Sequence, residues 1–398
     1  MAPLTEKDEA QYNMLAMKLQ RDINCLSDPE RSVRRRACDK LLRALQAGAH
    51  QLSSAVLQEL CSTNMKGALI RVAGSDAVEK CREKAIAMLL FFAERHALER
   101  SPTMLHDIVE LLNARLGKLP YPEPTEEIRL QLLQLLCAYL RQLADLEERI
   151  SLRDEITALT NVLGKTAADP FPDVKKLTAD TSIVLARSWR QDVALQLGSV
   201  VKPMASNLGH QHSRVRVSAL QALEALVPCG AEALPELMND VLVPAANKAL
   251  FDHAASVRRQ LVVTIATWLR EIEHAASYHS SLLPLLLAGA IDEAPDVQDA
   301  FRASISDLAL KWGATIDGAG DDDDNDVEMD EQNDRAPPLY FSSRLPLGVR
   351  RIARRYVLVP SHHCCSCCSR RLTNLGVFAL DRHAMCSHNC WKRPTTGR

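Results

Sequence analysis

The C-terminal segment contains the side chains best suited to bind a metal. Six of the twelve cysteines follow residue 360. They include the pairs Cys365-x2-Cys368 and Cys386-x3-Cys390, whose spacing is close to that of a zinc ribbon and could hold Zn²⁺ tetrahedrally. However, adjacent Cys-Cys pairs crowd ligands, and no core-forming pattern surrounds them. An unstructured terminus, or one introduced by a gene-model error, is therefore favoured over a zinc module, and no metal site is predicted.

A second candidate is the stretch LGHQHSRVRV (208–217), in which His210 and His212 are one residue apart. A zinc site would need two further ligands, and no Cys, His or acidic pattern nearby supplies them. The other interpretation is a turn between two helices. The choice between the two depends on whether the same frame recurs along the chain.

The frame does recur, as a polar turn often opened by Asp, an anchor residue, usually a basic residue, and an apolar helical run. Successive anchors are 40–48 residues apart, which is the period of HEAT and armadillo helix pairs. The sequence therefore predicts that His210 lies in a turn and that one helical face after it is buried. The anchors are Val33, Cys81, Ile128, Val174, Val215, Val257 and Val297.

The polar residues of the frame predict a structural ladder. A turn carboxylate can accept hydrogen bonds from backbone N–H groups, and the basic residue after each anchor could reach the acid of the neighbouring repeat. The seventh copy has Gln298 at the basic position and breaks the ladder. An anion-binding row is the less favoured alternative. The predicted turn residues are Asp28, Asp169, His210, Asp252 and Asp292. The predicted basic residues are Arg34, Arg82, Arg129, Lys175, Arg216 and Arg258.

The first helix of three copies carries a proline 12 or 13 residues before the anchor. These residues are Pro203, Pro244 and Pro284. Because proline removes a backbone donor and clashes with the preceding turn, each is expected to bend or restart its helix.

Composition favours helices and argues against several functional classes. The chain is 47% hydrophobic but only 4% aromatic, which favours packed helices over a β-sandwich. Residues before Arg335 carry 36 basic and 49 acidic side chains, so this acidic body is not expected to bind nucleic acid. No apolar stretch predicts a signal peptide or a membrane span, so a cytoplasmic location is expected.

These patterns predict an all-α protein, a right-handed α-solenoid of about seven HEAT-type helix pairs. The solenoid is expected over residues 1–316, followed by a disordered acidic linker at 317–338. A further repeat would begin within 339–359. Residues 360–398 would form an irregular Cys-rich and basic tail.

Four successive blocks, ADPFPDV, LGHQHSRVRV, LFDHAASVRR and IDEAPDV, resemble those of one family in the same order. They are similar to the HEAT-repeat axonemal dynein preassembly factors, the dynein axonemal assembly factor 5 family. The resemblance is strongest over 165–315 and recurs at 344–356. It implies a cytoplasmic scaffold without catalytic residues or cofactor, whose partners are axonemal dynein chains and chaperones or other assembly factors.

The leading hypothesis is therefore a noncatalytic scaffold for preassembly of the axonemal dynein arms of cilia and flagella. Its partner ridge is expected to include Arg216, Arg258 and Arg259. Two alternatives remain: another HEAT adaptor of the phosphatase-scaffold or nuclear-transport type, and a zinc-binding module in the C-terminal tail. No Walker loop, HExxH or dinucleotide fingerprint occurs, so the chain is not expected to be an enzyme.

Overall fold

The computed structural model describes residues 4–48, 51–230 and 232–317. All the regular secondary structure in these residues is helical. They form two compact units, of which the first ends at Ala249 and the second begins at Leu250. The predicted segments after residue 317 lie outside the described residues.

The first unit contains fourteen α-helices in its described residues. The π-helical segments Leu60–Met65 and Met238–Leu242 join α3 to α4 and α13 to α14. The helices are α1 (Glu6–Asn24), α2 (Arg31–Gly48), α3 (Ser54–Glu59), α4 (Lys66–Ser75), α5 (Glu79–Glu94), α6 (Pro102–Leu116), α7 (Glu126–Ala144), α8 (Ile156–Ala167), α9 (Pro172–Ser188), α10 (Arg190–Ala194), α11 (Leu197–Ser206), α12 (Ser213–Leu226), α13 (Leu234–Leu237) and α14 (Val243–Ala249).

The helices of the first unit stack in two parallel series. The helices that follow the anchor turns pack in the order α2, α5, α7, α9 and α12. The helices in front of those turns pack in the order α1, α3 with α4, α6, α8 and α11. Each pair therefore covers the apolar face of the pair before it, which is the packing of a solenoid.

The described part of the second unit has three α-helices. They are α15 (Ala255–Glu271), α16 (His279–Ala288) and α17 (Pro295–Asp317). Helix α15 packs against both α16 and α17, as consecutive members of a helical repeat do. The prediction of an all-α solenoid is confirmed.

The anchors lie where the second helices pack together. Six of the seven are at most 2% exposed, and Val33 is half-buried because α2 has a neighbouring second helix on only one side. The predicted apolar face of α12 is also buried, and none of its four residues is more than 2% exposed. These four residues are Val215, Ala219, Leu223 and Leu226.

The three prolines differ in their effect on the first helices. Pro203 and Pro284 lie inside α11 and α16, whereas Pro244 is the second residue of α14, directly after a π-helical segment. Pro203 has no N–H to donate to the Ser199 carbonyl four residues earlier. This carbonyl instead lies against α8, 2.6 Å from where a β-carbon on Gly164 would be. Glycine at 164 therefore allows the close approach of α8 and α11.

Within the described helices, none is both long enough and apolar enough to cross a membrane.

Candidate functional site: a ladder of ion pairs between repeats

Each anchor turn begins with a residue located five positions before the anchor. In five of the seven copies this residue is an aspartate whose Oδ1 accepts a hydrogen bond, 2.8 Å long, from the backbone N–H two residues later. Such side-chain-to-backbone bonds stabilise the turn before a helix begins. The five are Asp28, Asp76, Asp169, Asp252 and Asp292.

Four arginines connect one repeat to the next with the same geometry. In each, Nε and Nη2 donate to the two carboxylate oxygens of the turn acid in the following repeat. Nη1 donates back to backbone carbonyls of the arginine's own turn. This two-bond arrangement is the strongest geometry for a guanidinium and a carboxylate. The pairs are Arg34–Asp76 (2.7 and 3.0 Å), Arg82–Glu123 (2.8 and 2.9 Å), Arg129–Asp169 (2.8 and 3.1 Å) and Arg258–Asp292 (2.7 and 2.9 Å).

The middle pairs are removed from solvent. Glu123 and Asp169 are fully buried, and Arg129 is 4% exposed with its guanidinium 4.8 Å from the centre of the Tyr121 ring. Burial alone would raise the pKa of Glu123, but hydrogen bonds from Arg82 and Arg115 outweigh it and lower the pKa. The carboxylate therefore stays charged, and each group compensates the charge of the other.

The joint between α9 and α12 departs from this pattern. The turn position is His210, whose Nδ1 accepts from the backbone N–H of His212 at 3.1 Å. The imidazole thus forms the turn that an aspartate forms elsewhere, but it offers no carboxylate to Lys175. The Lys175 ammonium donates instead to the Asn207 side chain at 2.8 Å and the Ala167 carbonyl at 3.0 Å. Burial lowers the pKa of Lys175, because no bonded carboxylate offsets the lost hydration.

Two further positions show how the ladder side chains are used. Arg216 donates through Nη1 to the carbonyls of His210 at 2.7 Å and Gln211 at 3.0 Å, as the other arginines do in their own turns. Gln298 donates through Nε2 to the Asp292 carbonyl at 2.7 Å. Gln298 therefore makes the same contact with its own turn as the arginines do. It lacks the guanidinium that would bind the acid of a following repeat.

The sequence prediction missed Asp76 and Glu123, which accept the Arg34 and Arg82 side chains. Both lie five residues before their anchors, Cys81 and Ile128, and this constant spacing was the available signal. Neither turn resembles the Asp-Pro or Asp-x-Ala stretches of the stronger copies.

The residues of the predicted partner ridge differ in exposure. Arg258 is 8% exposed, and its guanidinium is bonded to Asp292. Arg216 is half-buried, whereas Arg259 is exposed. In each of the four arginines, Nε and Nη2 already bind a carboxylate of the protein. An external anion would have to displace that carboxylate in order to bind there.

The described residues contain no group of three or more His, Cys, Asp or Glu side chains placed to hold a metal ion. Of the six cysteines in this part of the chain, five are buried and Cys25 is half-buried. The candidates Cys365, Cys368, Cys386 and Cys390 lie outside the described residues.

A family described as dynein axonemal assembly factor 5-like, with TPR repeats, matches residues 25–315. The chain belongs to this family. The match covers the whole ladder, from Asp28 to Gln298. The anchor spacing of 40–48 residues is longer than the 34 of a typical TPR unit and agrees with HEAT pairs.

Relatives named dynein axonemal assembly factor 5 are similar over most of this chain. The Xenopus laevis protein is 29% identical over 334 residues, covering 84% of this chain and 37% of its own length. The human protein is 29% identical over 340 residues, with the same two shares. The chain thus spans less than half the length of either relative. A computationally designed armadillo repeat protein for modular peptide recognition aligns with a TM-score of 0.45 at 18% identity, over 63% of this chain and 99% of its own.

Proposed function

We propose that the chain is a noncatalytic scaffold that assists the assembly of axonemal dynein arms in the cytoplasm, before the arms enter cilia or flagella. The observation that carries this proposal is the family match over residues 25–315. The relatives in that family are named as dynein axonemal assembly factors.

The ladder supports a scaffold role in physical terms. Stacked helix pairs offer a long surface that large proteins can contact at several points without a deep pocket. The buried pairs Arg82–Glu123 and Arg129–Asp169 fix how neighbouring repeats meet. A surface that is ordered before binding loses less conformational freedom on association.

The partners we propose are axonemal dynein chains together with chaperones or other assembly factors. Because the ladder side chains bind one another, partner contacts would use exposed residues such as Arg214 and Arg259. The region matched in the first relative is 37% of that protein's length, so the contacts we propose are those of the matched region.

The test uses the tagged full chain in ciliated cells. Affinity purification should recover dynein heavy or intermediate chains with chaperones, and depletion should leave axonemes short of outer and inner arms. An Arg259→Glu chain that keeps its thermal stability serves as the matched variant and should recover less dynein. Normal arm content after depletion would contradict the proposal. Recovery of phosphatase subunits or nuclear-transport cargo instead would favour a different class of HEAT adaptor.

A further inference from the structure

We propose that the joint between α9 and α12 binds a carboxylate side chain of another protein. The binding group is the Lys175 ammonium, which the Asn207 side chain and the Ala167 carbonyl hold in place. These three residues are called here the open rung. Binding of a carboxylate at the open rung is independent of the assembly that the chain serves.

The open rung lacks the acid that completes four other joints of the ladder. In those four joints an arginine binds both oxygens of a carboxylate at 2.7–3.1 Å. At the α9–α12 joint the residue in the place of that acid is His210, whose Nδ1 accepts from the backbone N–H of His212 at 3.1 Å. The turn therefore forms without a carboxylate, and the charge of Lys175 has no bonded partner of opposite sign.

The Lys175 ammonium can donate one further hydrogen bond. Of its three hydrogens, two go to oxygens without formal charge, Asn207 Oδ1 at 2.8 Å and the Ala167 carbonyl at 3.0 Å. Burial lowers the pKa of Lys175. The Asp169 carboxylate opposes this shift only from a distance, since both of its oxygens are bonded to Arg129. A carboxylate that accepts the third hydrogen would supply the missing charge.

The turn beside the open rung is open to solvent. Lys175 and His210 are half-buried, whereas Gly209, Gln211 and His212 are exposed. An extended segment of another protein can lie along this exposed turn, with one side chain directed at the half-buried ammonium.

The charges around the joint favour an acidic polypeptide over other anions. Lys176 and Arg214 are exposed, and Arg214 lies 3.9 Å from Asp173 with 64% and 49% of the two side chains exposed, so that this pair is weak. A phosphate is bound best by guanidinium groups or by several donors, whereas Lys175 offers one. The residues before Arg335 carry 36 basic and 49 acidic side chains, which disfavours a nucleic acid.

The experiment is zero-length carbodiimide crosslinking of the full chain to a tetra-aspartate peptide, followed by peptide mass spectrometry. Lys175 should crosslink to the peptide more strongly than its exposed neighbour Lys176 does. Binding is measured separately by fluorescence anisotropy of the labelled peptide, with tetra-asparagine as the neutral control. Lys175→Met should weaken this binding about tenfold, and the matched variant Lys176→Met by less than about threefold.

Two substitutions of equal size at His210 separate charge from shape. Both Asp and Asn offer a side-chain oxygen to the backbone N–H of His212, so both should form the turn. His210→Asp also places a carboxylate of the chain itself beside Lys175 and should reduce the Lys175 crosslink about tenfold. His210→Asn adds no charge and should keep the crosslink within about threefold of the original chain.

Three results would overturn the proposal. The first is a crosslink to Lys175 no stronger than that to Lys176. The second is an equal response to His210→Asp and His210→Asn, since the charge at that position would then not matter. The third is loss of the Lys175 crosslink when inorganic phosphate is added at the concentration of the peptide, because the site would then prefer phosphate to a carboxylate.

Discussion

Asp169 is the carboxylate that is most completely enclosed by the ladder. It is fully buried, and both of its oxygens are bonded to Arg129. Asp169→Asn keeps the size of the side chain but leaves a buried guanidinium without an opposite charge. We expect the free energy of unfolding to fall by about 3–5 kcal/mol. Denaturant unfolding followed by circular dichroism would measure this change.

Glu147→Gln is the matched control for that measurement, because Glu147 is an exposed acid in the loop after α7. Neutralising it should change stability by no more than about 0.5 kcal/mol. Equal effects from the two substitutions would show that the buried pair does not hold the repeats together.

His210 offers the opposite change, a gain. Because Lys175 lacks a bonded carboxylate, His210→Asp should add an ion pair while keeping the turn bond to the backbone of His212. We expect a gain of about 1 kcal/mol in the free energy of unfolding, since the site is half-buried and one charged hydrogen bond is formed. A thermal or denaturant melt would measure it.

A double-mutant cycle tests the stated cause of that gain. In a Lys175→Met chain, His210→Asp has no ammonium to pair with and should stabilise little or not at all. If the gain persists without Lys175, the improvement comes from the turn and not from the new ion pair.

The ladder could be predicted only in part, for reasons specific to its residues. A charged residue directly after an anchor must either reach solvent or bind a partner of opposite charge. The contact of Arg34 and Arg129 with an acid of the next repeat could therefore be predicted. Glu123 was harder to see, because its turn contains Tyr-Pro-Glu-Pro in place of an Asp-led turn. The contact of Lys175 with Asn207 depends on a side chain eight residues before the Val215 anchor, and no repeated pattern marks that position.

At the scale of helices, Gly164 controls how closely α8 and α11 approach. A β-carbon there would lie 2.6 Å from the Ser199 carbonyl oxygen, so a helix must shift. We expect Gly164→Ala to destabilise the protein by about 1–3 kcal/mol, even though alanine favours helix formation. The midpoint of urea unfolding would report this change.

Gly198 provides the matched substitution on α11, since nothing lies within 4 Å of its added β-carbon. Gly198→Ala should stabilise by up to about 1 kcal/mol through helix propensity alone. The two glycines should therefore respond with opposite signs. A stabilising Gly164→Ala would mean that the helices are not in close contact there.

The second helices were easier to predict than the first helices. Their apolar face follows directly after a polar turn and a buried anchor, as in α9 and α12. The repeat spacing of the anchors therefore predicts both where a second helix begins and which of its faces is buried. The first helices carry prolines and π-helical segments instead. The divided pairs α3–α4 and α13–α14 depend on backbone hydrogen bonds that shift by one residue, and residue types alone do not show where this occurs.

For the molecule as a whole, the repeat period was enough to predict the solenoid but not its division into two compact units. The anchors on either side of Ala249 and Leu250 are Val215 and Val257, and their spacing of 42 residues is ordinary for this chain. Packing between consecutive pairs is visible in the sequence as buried faces. The repeat period therefore does not mark the division.

Because each repeat contacts only its neighbours, loss of one ladder pair should have local consequences. Arg258→Met keeps the aliphatic stem of the buried side chain but removes the two bonds to Asp292. Hydrogen exchange should then accelerate about tenfold in the first turns of α17, which corresponds to about 1.4 kcal/mol of local stability. Amides of α5 and α7 should exchange as before. Arg259→Met, at the exposed neighbouring position, should leave hydrogen exchange in α17 unchanged. Faster exchange in α17 with both substitutions, or faster exchange that extends to α5 and α7, would contradict this prediction. Stability would then be shared along the chain and not held repeat by repeat.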